Sequence, residues 1–373
     1  MKYLAILGRQ PELSLVELES VFGTAAVEPF GQAALLDTPA EINRLGGVQK
    51  LGRILYHGPV RDLNEAPLNF DKLPLSAGKT PFGLSYYGVR ATNRFVTAAG
   101  LTLKKRLKGK GSLRLVTPQS GTALTAAQVK FNSLLRNGFE LLVVQYHQKM
   151  VIALTEQLQD IDWYTARDYE RPIRSAKVGM LPPKLAQIMV NTTSAPLVYD
   201  PFVGTGVVLQ EALLLGRQAQ GSDITAEMVA ATEKNLQWLD GQKSIAPWSV
   251  TLADARQVSL PKSPVAIVSE GYLGPNLSKL PSGMELKRLQ QDTLDLYQQS
   301  LKHWRSQLSR DAEITITIPV WRAQDGWKTT GIVDRLSDLG YTLKRFECAD
   351  SSRLIYRRPQ QIVGRQLLLL RKV

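Results

Sequence analysis

Cysteine is nearly absent from this chain. Cys348 alone cannot close an internal disulfide, and three scattered histidines (His57, His147, His303) offer no cluster of metal ligands in 373 residues. A protein of the reducing cytoplasm that uses no metal is the expectation, with Cys348 most simply a core residue. Long apolar runs are missing too: none approaches the about 18 residues that a membrane span needs. The opening MKYLAILGRQPELS has neither an extended apolar stretch nor a small-residue cleavage site. A soluble, cytoplasmic chain with no membrane partner is therefore expected. The G-x-x-x-x-G-K-[ST] pattern occurs nowhere, which excludes a P-loop.

The most informative absence is one of charge sign. Between Lys72 and Phe139 there is no Asp or Glu, while the same window holds twelve Lys and Arg, nearly the whole +13 net charge. A surface selected only for solubility mixes signs. Clustered cations are what phosphate neutralisation rewards, through counterion release. Arg90, Arg94, Lys104, Lys105, Arg106, Lys108, Lys110 and Arg114 are accordingly the candidate RNA-binding residues. Five of them crowd at the end of a predicted helix, where the macrodipole also favours cations, and that effect accounts for two or three lysines.

Periodicity divides the chain into an α+β first half and an α/β second half. Strand-like YLAIL precedes a helix over LSLVELESVF with Ser14 as a plausible cap, and AVEPF, AALLD and KLGRILYHG follow. The basic window alternates strands (FGLSYYGV, SLRLVT) with helices over RFVTAAGLTLKKRLKGKG and LTAAQVKFNSLLRNG, then closes on the hairpin ELLVVQYH/MVIALTEQ. Val96, Leu101, Leu103 and Leu107 are expected to face inward. A connector with Tyr164, Arg167, Arg171 and Arg174 comes next. These side chains either face a phosphate or cofactor carboxylate, or pair with Asp162, Asp168 and Glu170. Beyond it, seven strands alternate with helices, one of them over IVDRLSDLG, and end on a hairpin pair, the pattern of a doubly wound sheet.

That second half is organised around LVYDPFVGTGVVLQEALLLGRQAQGSD, residues 197 to 223: strand, glycine turn, helix, strand, acid. A dinucleotide turn places a third glycine where Leu209 stands, which weakens that reading. Asp200 could hold a cationic amino group, Asp223 could accept two ribose hydroxyls, and Asp254 could meet an adenine amino group. S-adenosyl-L-methionine carries all three groups. Asp200, Pro201, Phe202, Gly204, Gly206, Asp223, Ile224, Asp254 and Ala255 are the candidate cofactor-binding residues.

DPFVGTG with QEALLLG and GSDI, the lead-in ARDYERPIRSAKVGMLPPKLAQIMVN and the terminal YRRPQQIVGRQLLLLRK together resemble the THUMP-containing RNA methyltransferases, especially those acting on the exocyclic N2 of a tRNA guanosine. The resemblance implies an N-terminal ferredoxin-like part over 1–60, a THUMP-like RNA-binding module over 61–160, a linker over 161–180 and a Rossmann-like, seven-stranded methyltransferase domain over 181–373. It implies tRNA as partner and, in some lineages, a small activator subunit. The family's D/N-P-P-Y/F motif is replaced here by Ser269-Glu270-Gly271-Tyr272-Leu273-Gly274-Pro275. Matching ring to ring aligns Tyr272 and puts Ser269 in place of the acid; matching acid to acid aligns Glu270. Glu270 as hydrogen-bond acceptor and proton sink, Tyr272 as base platform and Ser269 form the candidate catalytic set, with Trp321 and Arg322 as candidates for the base pocket. The altered loop keeps a second reading open, a catalytically silent RNA-binding protein that retains the fold.

Overall fold

The computed structural model describes residues 2–373 except 60, 61, 76, 77, 89, 90, 175–179, 263, 352, 353 and 359. It divides into two compact units, Met1–Ile161 and Asp162–Val373. Among the described residues no helix is long and apolar enough to cross a membrane.

In the first unit β1 (Tyr3–Leu7), β2 (Val27–Phe30), β3 (Ala33–Leu36), β4 (Val48–Gly58), β5 (Lys79–Tyr87), β6 (Ser112–Val116), β7 (Phe139–Tyr146) and β8 (Lys149–Leu158) make one sheet in the order β2-β3-β1-β4-β8-β7-β5-β6. The sheet runs unbroken past residues 60 and 61, because β4 pairs antiparallel with β8. A buried polar network pins this seam. Lys50 of β4 forms an ion pair with Glu140 of β7 and donates to the Leu124 carbonyl at 2.7 Å. Ser85 of β5 and Thr155 of β8 donate to the two Glu140 oxygens at 2.5 and 2.8 Å. A charge pair taken out of water needs further hydrogen-bond partners, and β5, β8 and the Leu124 carbonyl supply them.

Helix α1 (Pro11–Phe22) starts three residues before Ser14, with proline in the first turn, where a missing N–H costs nothing. Helix α2 (Asn93–Arg106) buries Val96 and Leu103 and is capped by Thr92. Leu101, expected inward, is 50% exposed. Helix α3 (Ala126–Phe131) has a capping box at Thr125 and is much shorter than the predicted span to Gly138. It ends early because the Asn132 side chain caps the Gln128 carbonyl at 2.9 Å and Ser133 turns to a positive φ of 55°.

The second unit opens on α4 (Ile161–Thr165) and a π-helical turn over Ala166–Glu170; its first residue is Asp162. Helices α5 (Pro183–Asn191), α6 (Val207–Leu214), α7 (Ala226–Gln242) and α8 (Gly283–Arg305) alternate with strands β9 (Leu197–Asp200), β10 (Gln218–Asp223), β11 (Trp248–Leu252), β12 (Val265–Glu270) and β13 (Glu313–Ala323). With β15 (Tyr341–Leu343) and β17 (Val363–Lys372) the order is β11-β10-β9-β12-β13-β17-β15; the short β14 (Gly326–Lys328) pairs β13, and β16 (Ile355–Tyr356) pairs β17. Pairings from β11 through β13 are parallel, and β17 is antiparallel to both neighbours. Seven main strands that end on the antiparallel pair β15 and β17 match the expected sheet. The helix expected over IVDRLSDLG is only a 3₁₀ turn, Ile332–Arg335. Cys348 is half-buried rather than a core residue.

The chain leaves β9 for β10 on one side and returns through β12 on the other. The carboxyl ends of β9 and β12 thus flank the topological switch point, where open α/β sheets take their ligands.

Candidate active site

Two adjoining clefts open at that switch point. The smaller, about 390 Å³, is lined by Asp200, Phe202, Gly204, Asp223, Ile224, Met228, Glu270 and Tyr272, among others. The larger, about 530 Å³, is lined by Asp168, Tyr169, Tyr356, Arg358 and Arg365, among others. Both share Met180 and the loop residues Leu273, Gly274, Pro275 and Asn276.

The floor of the smaller cleft is the glycine turn. Gly206 caps α6 in the left-handed region, φ 83°, and a Cβ there would meet the Thr232 methyl at 2.8 Å. Thr232 in turn donates to the Gly204 carbonyl at 2.8 Å. Glycine is needed twice over, for the dihedral and for the close packing of α7.

Asp200 lies under this turn, 1% exposed, accepting from Ser269 Oγ at 2.6 Å and from the Phe202 N–H at 3.0 Å. Burial pushes its carboxyl up to about 7, against those two hydrogen bonds, and the nearby charges of Asp223 and Glu270 push the same way. A carboxylate held this way lacks a cation. Asp223 is more committed: Oδ2 accepts from the Gly204 N–H at 3.1 Å, and Oδ1 from the Thr225 N–H and hydroxyl at 3.0 Å. Oδ1 thus has both lone pairs engaged, and Oδ2 keeps one lone-pair direction for a ligand hydroxyl. Ile224, 63% exposed, supplies an apolar surface beside it, with Met228 and Phe202.

Glu270 ends β12 and forms an ion pair with Arg365 of β17. Burial raises its pKa, opposed by the charge and hydrogen bond of Arg365 and the charge of Arg171. Tyr272 is 48% exposed at the cleft, and its carbonyl accepts from Tyr297 Oη at 2.8 Å. Gly271 makes this possible: a Cβ would fall 2.2 Å from Tyr297 Oη.

Not every expected site residue meets here. Asp254 and Ala255 do not line the cleft. Asp254 is held by the Arg256 guanidinium, with Nε at 3.0 Å and Nη2 at 2.5 Å, and Ala255 is buried with its carbonyl on Trp304 Nε1. Pro201 contributes to the turn without lining it. Ser269 is buried beneath the cleft and acts on Asp200. Trp321 is wholly buried and Arg322 points outward, so neither lines a cleft. Arg167 pairs with Glu211, at 2.7 Å, rather than with the connector acids. Arg365 and Asn276 were not singled out in the sequence; only the register of β17 against β13 brings Arg365 to this edge.

In the first unit Arg94, Lys104, Lys105, Arg106, Lys108, Lys110 and Arg114 are all exposed, and Arg90 lies outside the described residues. Some are partly engaged: Lys110 pairs with Asp71 at 2.5 Å, Arg106 stacks over the Phe70 ring at 5.0 Å, and Arg114 donates to Asn132 at 3.1 Å.

TrmN from Thermus thermophilus superposes over 100% of both chains with a TM-score of 0.56 at 14% identity. A possible methylase from Clostridium difficile 630 covers 100% of this chain and 97% of its own, with a TM-score of 0.51 at 12% identity. The fold is that of these two proteins. No family model matches the chain. By sequence it is similar to the tRNA (guanine(10)-N2)-dimethyltransferase of Methanothermobacter thermautotrophicus, 35% identical over 133 residues, which are 35% of this chain and 37% of that protein. The Pyrococcus abyssi protein of the same name is 37% identical over 93 residues, 25% of each chain. The chain thus matches 37% or less of the length of these curated relatives. The resemblance drawn from DPFVGTG and its flanks is borne out by them.

Proposed function

We propose that the chain is an S-adenosyl-L-methionine-dependent tRNA methyltransferase of the cytoplasm, acting on the exocyclic N2 of a guanosine. The nucleotide named in both relatives, guanine 10, is the first to test. The observation that carries this reading is the pair of clefts at one switch point, joined along the loop Leu273–Asn276 with Glu270 and Tyr272 at its root. The smaller cleft fits the cofactor: a buried carboxyl without a cation at Asp200, a hydroxyl acceptor at Asp223 Oδ2, and an apolar wall from Ile224 and Met228.

Bound there, S-adenosyl-L-methionine would supply a sulfonium methyl group, whose transfer to an amine is a displacement governed by positioning. Glu270 accepts a hydrogen bond from the guanine N2 amine and takes up its proton, and its raised pKa suits that task. Tyr272 offers its exposed ring as the face on which an extruded base stacks. Ser269 positions Asp200. The part over 1–60 is read as ferredoxin-like and that over 61–160 as THUMP-like, with Arg94, Lys104, Lys105 and Lys108 among the cations that meet phosphates.

Transfer of labelled methyl from S-adenosyl-L-methionine to unmodified tRNA by the purified chain, followed by nucleoside analysis, tests the proposal. N2-methylguanosine is the expected product, and adding cell extract shows whether a small activator subunit is required. Cofactor binding without transfer to any tRNA, with or without extract, would favour a silent RNA-binding protein. Absence of cofactor binding would sink the enzyme reading.

A further inference from the structure

Arg171 follows the π-helical turn Ala166–Glu170 and is 3% exposed. Its Nε, Nη1 and Nη2 are buried, and none has a hydrogen-bond acceptor among the described residues. The other two buried arginines among the described residues of this unit are both paired, Arg167 with Glu211 and Arg365 with Glu270. A guanidinium carries five donors in a planar fork and does not escape burial by losing its proton. Leaving it unpaired is strongly unfavourable, so a missing acceptor is a missing ligand group. Nearby acids do not serve. Glu270 is close enough for its charge to act on Arg171 but is committed to Arg365, and Asp168 acts on it only through its charge. Arg171 lines neither cleft itself, but the acids whose charges act on it do: Asp168, with Tyr169 beside it in the chain, lines the larger one and Glu270 the smaller.

We infer that Arg171 is the receptor for a ligand oxyanion, a carboxylate or phosphate gripped by its fork. The inference rests on the proposed function, which brings two such groups to this place: the carboxylate of the cofactor's methionine part and a phosphate of the target nucleotide. A fork matches either bidentately.

Arg171→Met removes the charge at similar length. Calorimetry with S-adenosylhomocysteine, with 5′-methylthioadenosine (which lacks the carboxylate) and with unmodified tRNA separates the sources. If the cofactor carboxylate is the ligand, affinity for S-adenosylhomocysteine falls at least tenfold and that for 5′-methylthioadenosine is unchanged. If a phosphate is the ligand, both are unchanged and tRNA binds at least tenfold more weakly. Arg171→Lys keeps the charge without the fork and is expected to fall between wild type and Arg171→Met. Unchanged binding of all three ligands, or equal losses for the two nucleosides, overturns the inference. Ligand-free Arg171→Met should melt at or above the wild-type temperature; a lower melting point or failure to fold marks a structural ion and also overturns it. If the wild type binds none of these ligands the proposed function falls. Sulfate then decides on Arg171, raising the melting temperature of wild type more than that of Arg171→Met if the receptor is real, and equally if it is not.

Discussion

The Ser269 hydroxyl donates to Asp200 Oδ1 over 2.6 Å, joining the ends of the neighbouring parallel strands β12 and β9. The bond favours the Asp200 anion, yet burial outweighs it and leaves the carboxyl near 7. The ligand-free protein therefore holds a proton at Asp200 over a pH range in which an unfolded carboxyl has lost it. The stabilisation from that proton is complete below the unfolded value of 3.8 and is lost as pH rises through about 7. Asp200→Asn is expected to be neutral near pH 4 and to raise stability near pH 8. At about 1.4 kcal/mol per pH unit the gain is at most roughly 4 kcal/mol. Denaturant melts across that range check it. Cofactor affinity in the wild type should rise with pH through about 7, and Ser269→Ala should move that rise upward.

Arg365 is the counter-charge of Glu270. Arg365→Met is expected to raise the Glu270 pKa further and shift the acid limb of methyl transfer to higher pH, since the protonated acid cannot accept from N2. Breaking a buried pair from one side also costs about 3–5 kcal/mol of stability. A pH–rate profile reads the first effect and thermal melts the second. Glu270→Gln should slow transfer with cofactor binding intact; an unaltered rate would remove Glu270 from the chemistry.

Gly271→Ala forces a Cβ against Tyr297 Oη and is expected to cost about 1–3 kcal/mol, in line with other overpacked sites. Tyr297→Phe removes the clashing oxygen, so the double variant should recover part of that loss. Strict additivity of the two changes would show that the contact is not the cause.

Lys104 and Lys105 are two of the three exposed cations that α2 presents in its last turn. Changing both to Ala should flatten the salt dependence of tRNA binding by about one to two units of slope, at about 0.9 per phosphate contact. S-adenosylhomocysteine binding should not change. Filter binding at several salt concentrations measures the slope, and a slope equal to wild type would remove these lysines from the RNA surface.

The local code of this chain was written plainly: alternation and turn residues placed the strands, and DPFVGTG with its acids located the smaller cleft through Asp200, Gly204 and Asp223. The acid-free window likewise named an exposed basic surface. These features are legible because each depends on near neighbours in sequence. What came only with tertiary structure depends on partners far along the chain. Two exceptions are local: the Asn132 side chain caps the Gln128 carbonyl four residues back and ends α3, and Arg256 holds Asp254 two residues away. Register between β13 and β17 put Arg365 beside Glu270, 95 residues away. Burial, which no spacing reveals, raised the carboxyl of Asp200 and left Arg171 without an acceptor among the described residues. The sequence by itself determined the sheet, the glycine turn and the sign of the charge. Packing alone decided which charges are paired, because pairing and burial are properties of what the fold brings together.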